Sequence, residues 1–353
     1  MKRIAPLPGS LPSIADAIGN TPLVCLDRLQ AAQPTTSDRL YAKCEFMNPG
    51  GSVKDRLART LLLNAAREGR LAPGGTVIET TSGNTGVGLA MAGAVLGYRV
   101  VLIVADTTTP DKINLLRTCG ATVHLVKPGL PADHPDSANA TARRLVHQIP
   151  GAWFANQFGN PMNWHNAYEG LGRELWHQTA GQIGALVCGA GTGGTLHGVA
   201  RFLKEQRPDV DIVLAEPPGS AFSARWHRRS TQFTGSLVEG IGNDEVPAVA
   251  SVADVDYVYE VTDADARSAS QALLEREGLL AGPSSGAIVA AALRFCDETC
   301  SRRSARHVVA LLPDGTRPYL NTFFDNAWCA AHGLQVNNMT CPFVHTLSGR
   351  DQA

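Results

Sequence analysis

Short runs of Val, Ile and Leu alternate along this chain with stretches that have helical periodicity. The apolar runs occupy 75–80, 99–105, 122–126, 185–191, 211–217 and 307–315. An apolar run that alternates with a helix is typical of a parallel strand buried on both faces. At 353 residues the chain has room for two such sheets. The pattern therefore predicts an α/β fold with two domains, each an open, mostly parallel sheet covered by helices.

The overall composition argues against a nucleic-acid-binding protein, a membrane protein and a disulfide-bonded secreted protein. The net charge is −1 and no basic stripe is present, which argues against nucleic acid as a partner. No apolar run reaches the ~18 residues of a membrane span, and the first residues lack the apolar core of a signal peptide. The eight cysteines are scattered without a C-x-x-C pair, as is typical of reduced thiols. We expect a cytoplasmic protein that acts on small molecules away from membranes, and we predict no metal site.

A glycine-rich stretch links two of the predicted strands. Gly189, Gly191 and Gly194 fit the G-x-G-x-x-G pattern, and Glu216 ends the next apolar run. The glycines and the later acid are compatible with a dinucleotide site, in which the acid would bind a ribose. A loop that binds only a phosphate at the start of a helix explains the same glycines. This stretch alone leaves both interpretations open.

Lys54 occupies a position that is unfavourable for a surface lysine, the first turn of a predicted helix. Only six of the 31 basic residues are lysines, and Lys54 lies in "NPGGSVKDR", where Ser52 can cap a helix that begins at Val53. A cation in the first turn opposes the helix dipole at a cost of about 0.3–1 kcal/mol. An exposed lysine that turns into solvent is the ordinary alternative. Gly50 precedes the helix and would let another group approach the backbone closely, so a functional lysine is favoured here. Lys43, in the alternating run "RLYAKCEF", is the rival candidate.

A second strand-to-helix loop follows in "ETTSGNTGVGLA". Thr81, Ser82, Asn84 and Thr85 place hydroxyl, amide and backbone N–H groups at the predicted start of a helix. Such a group of donors can bind an anion. The alternative is a simple capped turn, because Ser and Asn cap helices in many proteins.

Six motifs follow one another along the chain: "IGNTPLV", "NPGGSVKDR", "TSGNTG", "GTGGT", "EGIG" and "EGLLAGPSSGA". In this order they resemble those of the pyridoxal-phosphate (PLP) enzymes of the cysteine synthase and cystathionine β-synthase family, which have the tryptophan-synthase-β-like fold. The resemblance runs from residue 18 to about residue 328, nearly the whole chain. It implies PLP in the cleft between two domains. The implied bounds are 55–157 for the smaller α/β domain, 1–54 plus 158–335 for the larger PLP-binding domain, and 336–353 for a C-terminal tail.

The resemblance also implies the roles of individual residues. Lys54 would hold PLP as a Schiff base and would then take the Cα proton of the substrate. The other implied roles are as follows: Gly191, Thr192, Gly193, Gly194 and Thr195 bind the phosphate; Asn84 binds the 3-hydroxyl; Thr81, Ser82, Thr85 and Gln157 bind the substrate carboxylate; Ser284, or its neighbour Ser285, meets the ring nitrogen; Gly240 and Gly242 line the cleft. On this interpretation Glu216 is a strand-end residue and not a ribose ligand.

The implied activity is β-replacement on an activated L-serine (O-acetylserine, O-phosphoserine or serine) through an aminoacrylate, as in cysteine biosynthesis. Two alternatives keep PLP: condensation of O-phosphoserine with an amino acid such as glutamate, as in siderophore pathways, and desulfhydration of cysteine. A nicotinamide dehydrogenase and a catalytically silent binding module are the rivals from other classes. Family habit implies a homodimer.

Two departures bear on the substrate. Gly170-Leu171 stands where many cysteine synthases carry Thr-Thr. In having a small residue at this position, the chain resembles the siderophore-pathway enzymes. The stretch 219–242 carries Arg225, Arg228 and Arg229. An arginine there could pair with an anionic substrate, although charged runs are most often plain surface. We therefore expect that at least one anionic substrate is used well.

Overall fold

A computed structural model describes residues 7–31, 37–81, 83–131, 134–299 and 305–334. The predicted tail at 336–353 lies outside these ranges, as does Ser82. The strands are β1 Leu23–Cys25, β2 Arg39–Cys44, β3 Thr76–Thr80, β4 Arg99–Ala105, β5 Thr122–Val126, β6 Ala152–Phe154, β7 Ile183–Gly189, β8 Asp211–Glu216, β9 Tyr257–Glu260 and β10 His307–Leu312. The helices are α1 Asp27–Gln30, α2 Lys54–Arg67, α3 Asn84–Leu96, α4 Pro110–Thr118, α5 Ala138–Gln148, α6 Met162–Asn166, α7 Arg173–Gln178, α8 Gly194–Gln206, α9 Ala221–Trp226, α10 Asp263–Glu277, α11 Pro283–Thr299 and α12 Asn326–Ala331. Short 3-10 turns lie at Ile14–Ala17, Glu45–Met47 and Arg317–Tyr319, and a π-helical segment, Ala167–Gly172, joins α6 to α7.

Contacts divide the chain into two compact units. The smaller unit is drawn from Met1–Asn20 and Asn48–Asn156, and the larger unit from Thr21–Met47 and Gln157–Ala353. Residues 48–54 thus group with the smaller unit. The predicted domain bounds, 55–157 and 1–54 plus 158–335, stay a prediction.

The smaller unit holds a parallel sheet. In the described residues its strand order is β5-β4-β3-β6, and every neighbouring pair is parallel. Helix α5 packs on one face, where its apolar side joins Ile78, Val101 and Ile103 in a core cluster. The periodic apolar runs at 75–80, 99–105 and 122–126 thus form the strands that the sequence predicts.

The larger unit holds a mixed sheet with parallel central strands. Across the part of the chain that the structure describes, the order is β1-β2-β10-β7-β8-β9, and only the β1–β2 pair is antiparallel. Strands β7, β8 and β10 are buried along almost their whole length. Burial on both faces explains why these strands are continuously apolar in sequence. The α/β fold with mostly parallel sheets is confirmed.

Two further features concern what the fold could bind. None of the described helices combines the length and the apolar character needed to cross a membrane. Within those same ranges, no three or more His, Cys, Asp and Glu side chains are grouped so that they could hold a metal ion.

Candidate active site

Lys54 lies at the first position of α2, one residue later than the start that the sequence predicts. Val53 precedes the helix with helical backbone angles, and the Ser52 hydroxyl oxygen accepts a hydrogen bond from the Lys54 backbone N–H at 3.2 Å. Ser52 therefore satisfies one of the N–H groups that a helix start leaves without an intrahelical partner. The Lys54 residue is partly buried, which does not match a lysine that extends freely into solvent.

The two glycines before Lys54 have local structural reasons. The Asp55 carboxylate accepts a hydrogen bond from the Gly50 N–H at 2.6 Å, and a Cβ at Gly50 would lie 2.5 Å from that carboxylate. Gly51 has a φ of +89°, in the left-handed region that favours glycine. The close approach predicted at Gly50 is therefore made by Asp55 of the same segment. Together these contacts fold the loop tightly onto the start of α2.

A close helix–helix contact in the smaller unit links this loop to the second predicted anion loop. A Cβ at Gly88 of α3 would lie 3.2 Å from the Lys54 carbonyl oxygen and 3.3 Å from the Asp55 Cα. The first turn of α2 therefore packs directly on α3. Gly88 is four residues after Asn84, so this contact lies one turn from the start of α3.

The second loop has the strand–loop–helix form that the sequence predicts. Thr81 follows β3, and its hydroxyl oxygen accepts a hydrogen bond from the Gly83 N–H at 3.3 Å. Asn84 is the first residue of α3, and Thr85 is 3% exposed. Ser82 lies outside the described residues. The N–H groups of the first turn of α3 and these polar side chains can form an anion site.

Lys43, the rival lysine, is committed to another role. Its side chain is 0% exposed and forms an ion pair with Glu174. The Lys43 ammonium also donates hydrogen bonds to the Thr21 carbonyl oxygen at 2.7 Å and to the Gln178 side-chain oxygen at 2.8 Å. These partners account for the three N–H donors of a lysine. Lys43 is therefore a structural cation of the larger unit.

The predicted phosphate loop, residues 189–195, runs from the end of β7 into the start of α8. Gly193 has a φ of +76°, and a Cβ at Gly191 would lie 2.4 Å from the Gly240 carbonyl oxygen. Glycine is therefore required at both positions, at one by backbone conformation and at the other by space. The loop leaves the first N–H groups of a 13-residue helix directed out of its N-terminus.

Glu216 anchors the base of the phosphate loop. Its side chain is 0% exposed, and its Oε1 accepts a hydrogen bond from the Ala190 N–H at 3.0 Å. The Ser220 hydroxyl donates to the Oε2 atom. Burial raises the pKa of Glu216 to about 8, against the lowering effect of these two hydrogen bonds. A buried carboxyl group bonded to its own loop is not available to a ribose, so the dinucleotide interpretation loses its acid.

Asn163, which the sequence does not mark as a candidate, contacts two of the predicted site residues. Its Nδ2 donates hydrogen bonds to the Gln157 carbonyl oxygen at 2.7 Å and to the Thr192 hydroxyl oxygen at 3.0 Å. The only local signal is the amide-rich stretch "NQFGNPMNW", in which Asn163 is one of three asparagines beside Gln157. The amide thus joins a residue predicted to bind substrate with one predicted to bind phosphate.

The structure separates the two adjacent serines. The Ser285 hydroxyl donates to the Asp314 carbonyl oxygen at 3.3 Å. The Ser284 hydroxyl is in a residue 3% exposed, and it has no hydrogen-bond partner in the described part of the chain. A hydroxyl without a protein partner, in a residue that is almost fully buried, is open to a ligand. Ser284 is therefore the better candidate for the ring nitrogen.

The turn that carries Gly240 and Gly242 is bonded to the phosphate loop. The Gly242 N–H donates to the Ala190 carbonyl oxygen at 3.1 Å, and the Asn243 side chain donates to the Gly191 carbonyl oxygen. A Cβ at Gly242, where φ is +81°, would lie 2.4 Å from Pro217 Cγ. The glycines of "EGIG" thus let this turn pack against the loop.

Two of the three arginines in the 219–242 stretch line a groove of about 760 Å³ in the larger unit. Arg229 pairs with Glu260 at 2.6 Å. Arg225 is exposed and forms no ion pair with any residue in the described ranges. Ala250, which also lines the groove, packs on Gly193 of the phosphate loop. The groove therefore lies beside the loop and offers one available guanidinium.

The predicted site residues divide between the two units. Those of the smaller unit are Lys54, Thr81, Asn84 and Thr85, and those of the larger unit are Gln157, Gly191, Thr192, Gly193, Gly194, Thr195, Gly242 and Ser284.

Curated relatives match nearly all of this chain. It is 36% identical over 337 residues to cystathionine beta-synthase of Saccharomyces cerevisiae, an alignment that covers 94% of this chain and 66% of that protein. It is also 36% identical over 339 residues to cysteine synthase 1 of Emericella nidulans, with 94% and 90% covered. The chain spans only 59–66% of the length of the first cystathionine beta-synthases that it matches.

Solved structures share the fold. A crystal structure of O-ureido-L-serine synthase aligns with a TM-score of 0.79 and 34% identity, covering 91% of this chain and 99% of that one. A hydrogen sulfide-producing enzyme from Fusobacterium nucleatum aligns with a TM-score of 0.80 and 31% identity, covering 88% and 100%. The sequence profile of the family described as "Pyridoxal-phosphate dependent enzyme" matches residues 14–314. This chain belongs to the family of pyridoxal-phosphate dependent enzymes.

Proposed function

We propose that this protein catalyses PLP-dependent β-replacement on L-serine or an activated ester of it. One observation carries the proposal: Lys54 lies partly buried at the first position of α2, directly after the glycine turn, whereas the other candidate, Lys43, is fully buried in an ion pair with Glu174. The similarity to cystathionine beta-synthases and to a cysteine synthase supports the reaction class.

The residues of the larger unit fit the cofactor. The phosphate loop has glycines where a side chain would collide or strain the backbone, and it ends at the N-terminus of α8. Such a helix start suits a phosphate group. The Ser284 hydroxyl, in a residue 3% exposed and without a partner among the described residues, suits a ring nitrogen. A dehydrogenase would need a free acid after β8, and Glu216 is bonded to Ala190 and Ser220.

PLP, when bound, spreads the negative charge that forms at Cα of the amino acid. Lys54 would hold the cofactor through its Nζ, and after the amino group of the substrate has displaced that nitrogen, the released Nζ would accept the Cα proton. Asn84 would orient the 3-hydroxyl, and the backbone N–H groups of residues 191–195 would bind the phosphate. Thr81, Ser82, Thr85 and Gln157 would hold the carboxylate of the amino acid. Ser284 would offer a neutral hydroxyl at the ring nitrogen, so charge withdrawal would be milder than beside an aspartate and would favour loss of a β-leaving group.

A specific observation supports a second candidate, desulfhydration of cysteine. A hydrogen sulfide-producing enzyme is 31% identical to this chain and covers 88% of it. Condensation of O-phosphoserine with an acceptor such as glutamate is the third candidate. Gly170 stands where many cysteine synthases carry a threonine. A Cβ added at Gly170 meets no atom within 4 Å, so packing does not require glycine at this position.

A substrate panel separates these candidates. The purified protein with PLP is mixed with L-serine, O-acetyl-L-serine, O-phospho-L-serine or L-cysteine, each with sulfide, homocysteine, glutamate or no acceptor. A β-substituted alanine from a serine derivative supports replacement, whereas pyruvate and sulfide from cysteine alone support desulfhydration. Failure of the protein to bind PLP would contradict the whole proposal.

We also propose that the protein forms a homodimer, as enzymes of this family usually do. The scattered cysteines, which indicate reduced thiols, support a cytoplasmic location. Light scattering after size-exclusion chromatography measures the mass against the 37.4 kDa of one chain.

A further inference from the structure

Asn163 occupies an unusual position between two parts of the proposed site. It lies in α6, and both N–H bonds of its side-chain amide are used, one on the Gln157 carbonyl oxygen and one on the Thr192 hydroxyl oxygen. The residue is 2% exposed, so water does not offer replacement partners. An amide NH₂ has two donors, and here each of them serves a different subsite.

The other side of the same amide fixes the start of α8. A Cβ at Gly194 would lie 2.2 Å from Asn163 Oδ1 and 2.6 Å from Asn163 Cγ. The carboxamide therefore lies directly against the Gly194 backbone. A longer side chain at 163 would displace the loop, and a shorter one would leave it without support.

We propose that Asn163 is a positioning residue that holds the phosphate loop and the amino-acid subsite at Gln157 in one fixed arrangement. The proposal rests on the proposed function, because it takes Thr192 as a cofactor contact and Gln157 as a substrate contact. It goes further by assigning one buried amide to both binding steps. Loss of that amide should weaken PLP binding and amino-acid binding together.

A purely structural role for Asn163 predicts a different result. In that case its removal would lower the unfolding temperature and leave both affinities of the remaining folded protein unchanged. The chain offers a matched control in Asn243, whose side-chain amide donates to the Gly191 carbonyl oxygen. No hydrogen bond joins Asn243 to Gln157 among the described residues. Loss of the Asn243 amide should therefore weaken PLP binding alone.

The test uses Asn163→Asp, Asn163→Ala, Asn243→Asp and the exposed-site control Glu169→Gln in the full chain. The Kd of PLP for each apoprotein is measured by fluorescence titration. The Kd of L-serine, O-acetyl-L-serine and L-cysteine is then measured at saturating PLP from the change in PLP absorbance. We expect both Asn163 variants to raise the Kd of PLP and of the amino acid about tenfold each, as for loss of a buried hydrogen bond. Asn243→Asp should raise only the Kd of PLP, and Glu169→Gln should match the parent.

The outcomes distinguish this inference from the function on which it rests. If the parent does not bind PLP, the proposed function fails. If the parent binds PLP and the Asn163 variants keep both affinities, Asn163 is not a positioning residue. Equal effects on amino-acid binding from Asn163→Asp and Asn243→Asp would overturn the assignment to the Gln157 subsite. If both Asn163 variants fail to fold, Asn163 supports the fold as a whole and the inference is overturned as well.

Discussion

The Glu216 carboxylate accepts a hydrogen bond from the Ala190 N–H at 3.0 Å, and this contact joins the end of β8 to the start of the phosphate loop. Glu216 is fully buried, and burial raises its pKa to about 8. The neutral form of Glu216 can still accept the hydrogen bond from Ala190, and it avoids the cost of a buried charge.

This pKa predicts how stability depends on pH. The folded-state pKa of about 8 lies above the ordinary value of 4.5, so between these values the folded protein binds a proton that the unfolded chain has lost. The stabilising contribution is therefore complete below about pH 4.5 and is lost as the pH rises to about 8. Glu216→Gln, which keeps a neutral group of the same shape, should remove this decline.

Chemical denaturation of both proteins from pH 5 to pH 9 checks the prediction. The difference in unfolding free energy should grow in favour of Glu216→Gln as the pH rises, whereas exposed Glu169→Gln should follow the parent at every pH. Parallel curves for Glu216→Gln and the parent would show that Glu216 is ionised throughout.

Lys54→Ala should abolish covalent attachment of PLP and reduce turnover to background. Lys54 carries both the proposed link to the cofactor and the transfer of the Cα proton, so no other side chain replaces it. Reduction of the parent with borohydride, followed by peptide mapping, should place the label on Lys54. A label on Lys43 would contradict the assignment.

Lys43→Met provides the contrasting variant. It removes a buried cation and leaves the Glu174 carboxylate without its ion pair to Lys43, which should lower the unfolding free energy by about 3–5 kcal/mol. The fraction that stays folded should still carry the borohydride label on Lys54. Unchanged stability would show that the Lys43–Glu174 pair is not a structural ion pair.

Ser284→Ala and Ser285→Ala should differ in kind. Ser284 has no hydrogen-bond partner in the described ranges, so Ser284→Ala should leave the stability of the apoprotein nearly unchanged and lower kcat about tenfold. Ser285→Ala removes a bond to the Asp314 carbonyl oxygen and should lower stability by about 1 kcal/mol with little effect on kcat. Thermal unfolding of the apoproteins and kcat at saturating PLP test the pair, and the reversed pattern would assign the ring nitrogen to Ser285.

Arg225→Ala should raise the KM of O-phospho-L-serine about tenfold and that of O-acetyl-L-serine much less. Arg225 lines the groove beside the phosphate loop without an ion pair to the described residues, so its guanidinium can bind an anionic group. Arg228→Gln is the control, because Arg228 does not line the groove. Equal KM changes for the two esters would leave Arg225 without a role in substrate choice.

Local sequence patterns determined most of the fold. Continuous apolar runs predicted β3, β4, β7, β8 and β10, because a strand buried on both faces needs apolar side chains at successive positions, and β5 was also predicted although its residues are only partly buried or exposed. The sequence also marked the glycines of the phosphate loop and Lys54, a cation in the first turn of a helix, as candidate site residues. Each breaks a rule that depends only on neighbouring residues, such as helix charge or backbone freedom.

The tertiary structure alone decided which polar residues are held in structural contacts. Lys43 and Lys54 were both candidates until the fold brought Glu174, 131 positions away, onto Lys43. By its spacing Glu216 also fitted a ribose ligand, and only its hydrogen bond with Ala190 excludes that role. Ser284 and Ser285 are equivalent in the sequence, and only the hydrogen bond from Ser285 to the Asp314 carbonyl oxygen distinguishes them. Asn163 gave no periodic or capping signal, since its partners Gln157 and Thr192 lie six and 29 positions away. The physical reason is common to all four cases: local pattern encodes secondary structure, whereas the satisfaction of a buried polar group depends on partners that only folding brings within hydrogen-bond distance.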